Sequence, residues 1–180
     1  MSDESAKGLV AQFLESAHAA AATAETVGRN AEDLNASLLS ATADDTFVLF
    51  SQPDDLDPML FHLFLQNPRV ITSPTKEQLS SVEAGVTDAF CGIASTGSVC
   101  VSITKSLTSP ISMLTRKHIV VVDSDTIVPR PRDVFSDNYV GGRGLRRSFS
   151  FITGPSATAD MGPLVRGVHG PRKLHIIVLE

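Results

Sequence analysis

Apolar and polar positions alternate along this chain in blocks of two kinds, and the first block has helical spacing. Residues 3–41 are rich in Ala, Glu and Leu, and one helical face carries the apolar side chains of Leu9, Val10, Phe13, Leu14 and Ala17. Because glycine interrupts helices, Gly28 is expected to divide this region into two helices. The pattern predicts an N-terminal helical segment over residues 1–45.

Residues 46–180 have a different pattern, in which short apolar runs alternate with helical spacing, and they are predicted to form one α/β domain. Strands are expected at residues 46–50, 69–71, 88–94, 98–103, 118–122, 149–152 and 174–179. Helices are expected over residues 56–67 and 131–140. A third helix is expected to begin with a cap near Ser73, Pro74 and Thr75, with Glu77 in its first turn.

The runs HIVVV and HIIVL are apolar at successive positions, which is typical of strands buried on both faces. The chain is therefore predicted to fold as a three-layer α/β sandwich with a largely parallel central sheet. We assign all the predicted strands except residues 98–103 to that one sheet.

Composition narrows the class of protein. With 180 residues, 42% of them apolar and 19% charged, the chain fits a single globular domain that needs no metal or disulfide to fold. No apolar stretch approaches the roughly 18 residues that cross a membrane, and the N-terminus MSDESAKG is acidic, unlike a secretory signal, so a cytoplasmic location is expected. Cys91 and Cys100 match neither a redox pair nor a zinc or iron-sulfur spacing. Both thiols are expected to be reduced and packed, and no metal site is predicted.

Charge is divided unevenly along the chain. Residues 1–90 carry four Lys and Arg against fourteen Asp and Glu, whereas residues 91–180 carry eleven against six. This division favours an anionic ligand held by the second half. The alternative is that the acidic half simply needs a soluble outer face.

Three loops carry candidate chemistry. In the first, Gly97 permits a tight turn while Thr96 and Ser98 offer hydroxyls that suit a phosphate or carboxylate; a hairpin turn with internally bonded hydroxyls is the alternative. In the second, Gly154 and Pro155 shape a turn.

After that turn, Ser156 or Thr158 is placed to cap a following helix whose free amides attract anions, or to act as a plain structural cap. In the third loop, His169 stands on the constrained turn GVHGP, where an imidazole can serve as acid, base or donor. His175, inside an apolar run, is expected to be a core histidine with a backbone partner.

These loops together resemble the LUD-domain family. The resemblance covers roughly residues 69–180 and rests on FITGPSATADMGPLVRGVHGPRKLHIIVLE, joined with GVTDAFCGIASTGSVCVSI and HIVVVDSDTIVP. It implies a LUD-type domain over residues 46–180, similar to the fold of ribose-phosphate isomerases and CoA transferases. It also implies a part in oxidising L-lactate to pyruvate beside partner proteins that carry iron-sulfur clusters.

The chain departs from the family pattern at two carboxylates. Ser95 stands where members often have an acidic residue, and Asp160 is followed by Met161, Gly162 and Pro163 where members often have a Glu. Asp160 and His169 remain as the titratable candidates for catalysis.

Two functions stay open. The chain has no GxGxxG fingerprint and no clustered cysteines, so no cofactor is expected in it, and the iron-sulfur clusters are expected only in partners. The first function is a non-redox subunit that binds substrate or scaffolds those iron-sulfur subunits. The alternative is a small stand-alone isomerase or acyl-transfer enzyme that holds a phosphate or carboxylate. A purely structural role is a third possibility, and whether the chain is an enzyme is left open.

An arginine-rich segment contains Arg130, Arg132, Arg143, Arg146 and Arg147, and its residues 139–148 are predicted to form a mobile loop. It suits a carboxylate or a partner's acidic surface, or it is only a solvated loop. Nucleic-acid binding is not expected, because the chain is acidic and aromatic residues do not interleave with the arginines. Finally, Ser98, Ser156, Asp160 and His169 are predicted to border one cleft at the carboxyl edge of the sheet.

Overall fold

The computed structural model describes residues 3–105, 107–136, 148–158 and 165–180. Its helices are α1 (Asp3–Ala19), α2 (Ala31–Ala41), α3 (Lys76–Ser80) and α4 (Thr108–Leu114). Helix α1 buries the predicted apolar face, with Val10, Phe13 and Ala17 in the core. Capping fixes the starts of two others. Asn30 accepts the Asp33 N–H before α2. Thr75 caps α3 within the predicted cap region, and the structure adds a capping box with Gln78.

The described residues form twelve strands. In chain order they are β1 (Thr23–Val27), β2 (Val48–Phe50), β3 (Val70–Ile71), β4 (Ala84–Ala89), β5 (Cys91–Ile93), β6 (Ser98–Ser102), β7 (Lys117–Asp123), β8 (Ile127–Val128), β9 (Phe149–Ile152), β10 (Ala157–Thr158), β11 (Val165–Arg166) and β12 (Lys173–Leu179).

Six of these strands build the central sheet, in the order β1-β12-β7-β4-β2-β3, and all its pairs are parallel. Along β7, Val120 and Val122 face one core with α1, whereas Ile119 and Val121 face a second core with α2. Side chains that alternate between two cores explain the unbroken apolar run. The predicted α/β sandwich with a largely parallel central sheet is confirmed.

A second sheet has the order β8-β5-β6-β9 and covers one face of the first together with α1. The assignment of residues 88–94 and 149–152 to one central sheet is therefore wrong for β5 and β9. The chain leaves the central sheet at Phe90, whose N–H bonds to the Cys100 carbonyl at 3.0 Å in the second sheet. Both sheets are buried at this point, so hydrophobicity does not mark the bend.

Four other local expectations are corrected. Residues 23–27, expected to be helical, form edge strand β1 and pair with β12. Residues 56–67 contain two short 3-10 turns, Pro58–Phe61 and Phe64–Gln66, instead of one α-helix, and the predicted helix from residue 131 is a 3-10 turn, Pro131–Phe135. Ser156 leads into β10, which pairs with β11, so no helix begins there. None of the helices in the described residues has the length and the apolar composition of a membrane span.

Candidate functional site

A cleft of about 470 Å³ lies at the amino edge of the central sheet, where β7 and β12 begin. We call it the amino-edge cleft. Its lining includes Ser112, His118, Thr153, Ser156, His169 and Leu174. Its volume is in the range that holds small molecules.

The TGPS loop, residues 153–156, forms one wall of this cleft. Gly154 has φ +66°, and a Cβ there would lie 2.0 Å from the Ala20 carbonyl oxygen, so only glycine fits against the end of α1. Pro155 and Ser156 follow it along the wall. The Ser156 hydroxyl has no hydrogen-bond partner in the described part of the chain, which leaves it available to a ligand.

The GVHGP turn, residues 167–171, forms the facing wall and carries His169. Two backbone bonds join the walls: the Ser156 N–H donates to the Pro171 carbonyl and the Gly167 N–H to the Ser156 carbonyl, each at 2.9 Å. The structure therefore brings Gly154, Pro155, Ser156 and His169 to one cleft. Their binding and catalytic roles stay predictions.

The loop containing Thr96, Gly97 and Ser98 is a hairpin between the antiparallel strands β5 and β6. Its hydroxyls bond to one another: Thr96 Oγ1 to Ser98 Oγ and Ser98 Oγ to Thr153 Oγ1, both at 2.6 Å. A Cβ on Gly97 would lie 2.1 Å from the Ala17 nitrogen. The hairpin alternative describes this loop, which supports the cleft wall from behind through Thr153.

The predicted position of the cleft at the carboxyl edge is wrong. Strand β9 ends in the second sheet, and the TGPS loop that follows it lies beside His118 and Leu174, each the second residue of its central strand. Since β12 runs parallel to β7, the GVHGP turn before β12 also lies at the amino edge. The loops meet, but at the opposite edge from the one expected.

His118 is the lining residue that sequence reasoning missed. Its side chain is fully buried, its Nε2 lies 2.9 Å from Thr87 Oγ1 on β4, and its Nδ1 has no hydrogen-bond partner in the described residues. Burial lowers the pKa of the imidazole to about 3, so the ring is neutral at neutral pH. In an apolar strand it resembles a core histidine, and only the unpaired nitrogen beside a cleft marks it out.

A second pocket, of about 380 Å³, lies beyond Leu174 on the other side of the segment that carries the GVHGP turn. We call it the basic pocket, because Lys117, Arg166, Arg172 and Lys173 line it. Lys117 is already paired with Asp45 at 2.6 Å. Among the described residues the other three have no ion-pair partner, so their positive charge is available to an anion.

His175 lines the basic pocket and corrects another expectation. It is half-buried between two side chains of β1, with Nδ1 2.8 Å from Thr23 Oγ1 and Nε2 3.1 Å from Glu25 Oε1. Its partners are thus side chains of the neighbouring strand, not the backbone expected from the sequence.

The carboxyl edge holds a smaller cavity of about 290 Å³, lined by Ser51, Lys105 and other polar groups. Ser51 bonds to Thr108, and Lys105 pairs with Asp54 at 3.2 Å. Beside them the buried Asp88 carboxylate accepts the N–H groups of residues 54, 55 and 56 at 2.7 to 3.1 Å. Burial raises the pKa of Asp88, and these three bonds offset part of that effect.

Several predicted groups fall outside the site or outside the described residues. Asp160, Arg143, Arg146 and Arg147 lie in segments that the structure does not describe. Thr158 belongs to β10, while Arg130 and Arg132 flank Asp133 at 3.9 and 3.8 Å. Across the ranges that the structure describes, no group of three His, Cys, Asp or Glu is arranged to hold a metal ion.

Cys91 and Cys100 face each other in register on β5 and β6, and both are buried free thiols. The neighbouring Cys91 thiol, together with burial, raises the pKa of Cys100. The expectation of reduced, packed cysteines agrees with this arrangement.

Comparison with known proteins identifies what the chain is similar to. The LUD domain family model matches residues 10–179. Lactate utilization protein C of Bacillus subtilis is 31% identical over 108 residues, covering 58% of this chain and 45% of that protein. The protein of the same name from Halalkalibacterium halodurans is 32% identical over 108 residues, covering 58% and 47%. The chain spans about half the length of these curated relatives.

One solved structure has the same fold. The 1.70 Å crystal structure of a DUF162 family protein from Deinococcus radiodurans matches with a TM-score of 0.72 and 20% identity, over 97% of this chain and 98% of that chain.

Proposed function

The chain belongs to the LUD domain family, and from that membership and the amino-edge cleft we propose that it serves lactate utilization as a non-redox subunit. In this proposal it holds the small acid that is oxidised, and partner proteins with iron-sulfur clusters accept the electrons. The names of its relatives support the pathway. The observation that carries the binding role is the cleft itself, where the Ser156 hydroxyl and the His169 ring stand unpaired among the described residues.

The side chains of this chain determine which part of the oxidation we assign to it and which part to partner proteins. Oxidation of lactate to pyruvate removes two electrons and two protons, which a flavin, nicotinamide or metal cluster must accept. Iron-sulfur clusters are held by several cysteine thiolates. The chain has two cysteines, both buried side by side as thiols, and this pair does not fit a cluster. The proposed setting is the cytoplasm, where such thiols stay reduced.

Titration calorimetry of the purified chain with L-lactate and with pyruvate tests the binding role. We expect saturable binding that Ser156→Ala weakens about fivefold, since one hydrogen bond contributes about 1 kcal/mol. Ser73→Ala, in the cavity at the carboxyl edge, is the matched control and leaves affinity unchanged.

Other outcomes favour other functions. Turnover of a sugar phosphate or a CoA ester by the purified chain, without binding of either acid, supports the stand-alone isomerase or acyl-transfer alternative. Co-purification with iron-sulfur proteins, without binding of either acid, supports a scaffold. Equal affinity of the wild type and Ser156→Ala removes the cleft from the proposal.

A further inference from the structure

One residue that lines the amino-edge cleft, His118, has a buried nitrogen without a hydrogen-bond partner among the described residues. Buried polar atoms in folded proteins are nearly always paired. His118 uses Nε2 on Thr87, but Nδ1 is buried and has no partner in the described residues. His118 also lines the cleft, so a bound molecule is placed to supply the missing bond.

The environment of His118 restricts which chemical group suits it. Thr87 on β4, which bonds to His118, and Ser112 on α4, which lines the same cleft, both present neutral hydroxyls. A neutral imidazole has one donor and one acceptor nitrogen, so Nδ1 offers either a donor or an acceptor and the ring carries no net charge. A carboxylate buried against it gains one hydrogen bond but no opposite charge, so most of its desolvation cost is not compensated, whereas a hydroxyl or carbonyl oxygen is satisfied by one hydrogen bond.

We infer that His118 is the specificity-determining residue of the amino-edge cleft, where Nδ1 bonds the hydroxyl or carbonyl oxygen of a short 2-hydroxy or 2-oxo acid. The carboxylate of that acid then points to the mouth, where His169 is exposed. The acid part of this inference rests on the proposed function; the bond to a neutral oxygen does not.

The consequence is discrimination by a single oxygen atom. A site built to bond a hydroxyl rejects the analogue that lacks it, because the buried partner is left unpaired. Propionate has the skeleton of lactate without the hydroxyl, and 2-propanol replaces the carboxylate by a methyl group. We expect propionate to bind about tenfold or more weakly than L-lactate.

Side-chain ¹⁵N NMR of the full chain tests this inference, with L-lactate, propionate and 2-propanol as probes. The chemical shift of Nδ1 reports its hydrogen bond directly, and the His118→Gln variant assigns the signals. L-lactate and 2-propanol are expected to move the Nδ1 resonance, and propionate to leave it in place. His62, bonded to the Met59 carbonyl in the 3-10 turns, is the internal control ring.

The possible results separate the two claims. Equal binding of L-lactate and propionate with no movement of Nδ1 overturns the role of His118 and leaves the proposed function standing. Movement of Nδ1 by 2-propanol, with no binding of L-lactate, supports His118 as the floor donor or acceptor and removes the proposed function. No movement with any probe overturns the inference.

A second variant covers the case in which His118→Gln does not fold. Thr87→Val keeps the shape of the partner and removes its hydroxyl, so it releases Nε2 and the fixed orientation of the ring. We expect the preference for L-lactate over propionate to fall several-fold in this variant. An unchanged preference argues against a role for the imidazole.

Discussion

The two edges of the central sheet use their polar groups differently. At the carboxyl edge, the Asp88 carboxylate is surrounded by three backbone N–H donors, and Arg29 binds Asp123 and Asp125 at 2.7 and 2.9 Å. At the amino edge, Nδ1 of His118 is unpaired, and among the described residues so are the cations of the basic pocket other than Lys117.

This difference bears on where a ligand is sought. Ligands of open α/β sheets generally bind at the carboxyl ends of the strands. Here Asp88, Ser51 and Lys105 at that edge are occupied by partners within the chain, whereas at the opposite edge the buried Nδ1 of His118 has no partner among the described residues. For this reason the proposed ligand site is placed beside the unpaired groups of the amino edge, against the general rule, and the predictions below test that choice.

The largest expected effect concerns the packing of the TGPS loop against the end of α1 at the amino edge. Gly154→Ala places a Cβ 2.0 Å from the Ala20 carbonyl oxygen at a positive φ. We expect strain and overpacking to lower the free energy of unfolding by about 3 kcal/mol. Urea denaturation measures this loss.

The same substitution at Gly8 is the matched control, since nothing lies within 4 Å of its added methyl group on α1. There we expect a gain of about 0.5 to 1 kcal/mol from helix propensity. If both variants unfold at the same urea concentration, the amino edge is not held by the end of α1.

The second prediction tests whether the carboxyl edge is held by Asp88. Asp88→Ala leaves three backbone N–H groups without their acceptor, and we expect unfolding to become easier by about 2 kcal/mol. Asp88→Asn retains one acceptor oxygen and is expected to lose about half as much. Equal stability of Asp88→Ala and the wild type in urea contradicts the description of this edge.

The third prediction uses pH to separate the edges, beginning with His118. Its pKa is about 3 in the folded chain, against an ordinary value of 6.5. Between pH 6.5 and about 3, the imidazole of His118 is protonated in the unfolded chain and neutral in the folded chain. From His118, the free energy of unfolding therefore falls by about 1.4 kcal/mol for each pH unit of acidification. His118→Gln is expected to flatten the stability profile between pH 6.5 and 4.

Asp88 acts in the opposite direction. Burial raises its pKa above the ordinary value of 3.8, so the folded chain keeps a proton that the unfolded chain has released. Its contribution to stability is present below pH 3.8 and is lost as pH rises through the folded pKa. Asp88→Asn is expected to steepen the acid side of the profile, and a flattening contradicts the assignment.

Sequence reasoning recovers elements whose signal is local. The apolar face of α1 and the cap at Thr75 depend on residues within a few positions, and both lie where the sequence predicts them. The buried runs of β7 and β12 likewise indicate a sheet covered on both faces.

The remainder depends on contacts between distant segments. The edge strand β1 is held in place by β12, about 150 positions away, and it lies within the Ala- and Glu-rich stretch that predicts helix. The edge at which the TGPS loop lies is set by how β9 pairs with β6 in the second sheet. No sequence motif marks His118. It stands out only because its Nδ1 has no hydrogen-bond partner among the described residues and lies beside a cleft that other segments build.

The smallest expected effect on stability compares cations at the two edges. Arg166, Arg172 and Lys173 are exposed and form no ion pair within the described ranges, so changing each to Gln is expected to alter the free energy of unfolding by no more than about 0.5 kcal/mol. Arg29→Gln breaks two ion pairs, and we expect a loss of up to about 1 kcal/mol that added salt reduces. Calorimetry with pyruvate should rank the two variants the other way round. The three basic-pocket changes together should weaken pyruvate binding and reduce its salt dependence, because the local positive potential is lost. Arg29→Gln should leave both the affinity and its salt dependence unchanged. Equal pyruvate affinity in both variants would show that the free cations of the amino edge do not attract the ligand, and the comparison between the edges would then rest on His118 alone.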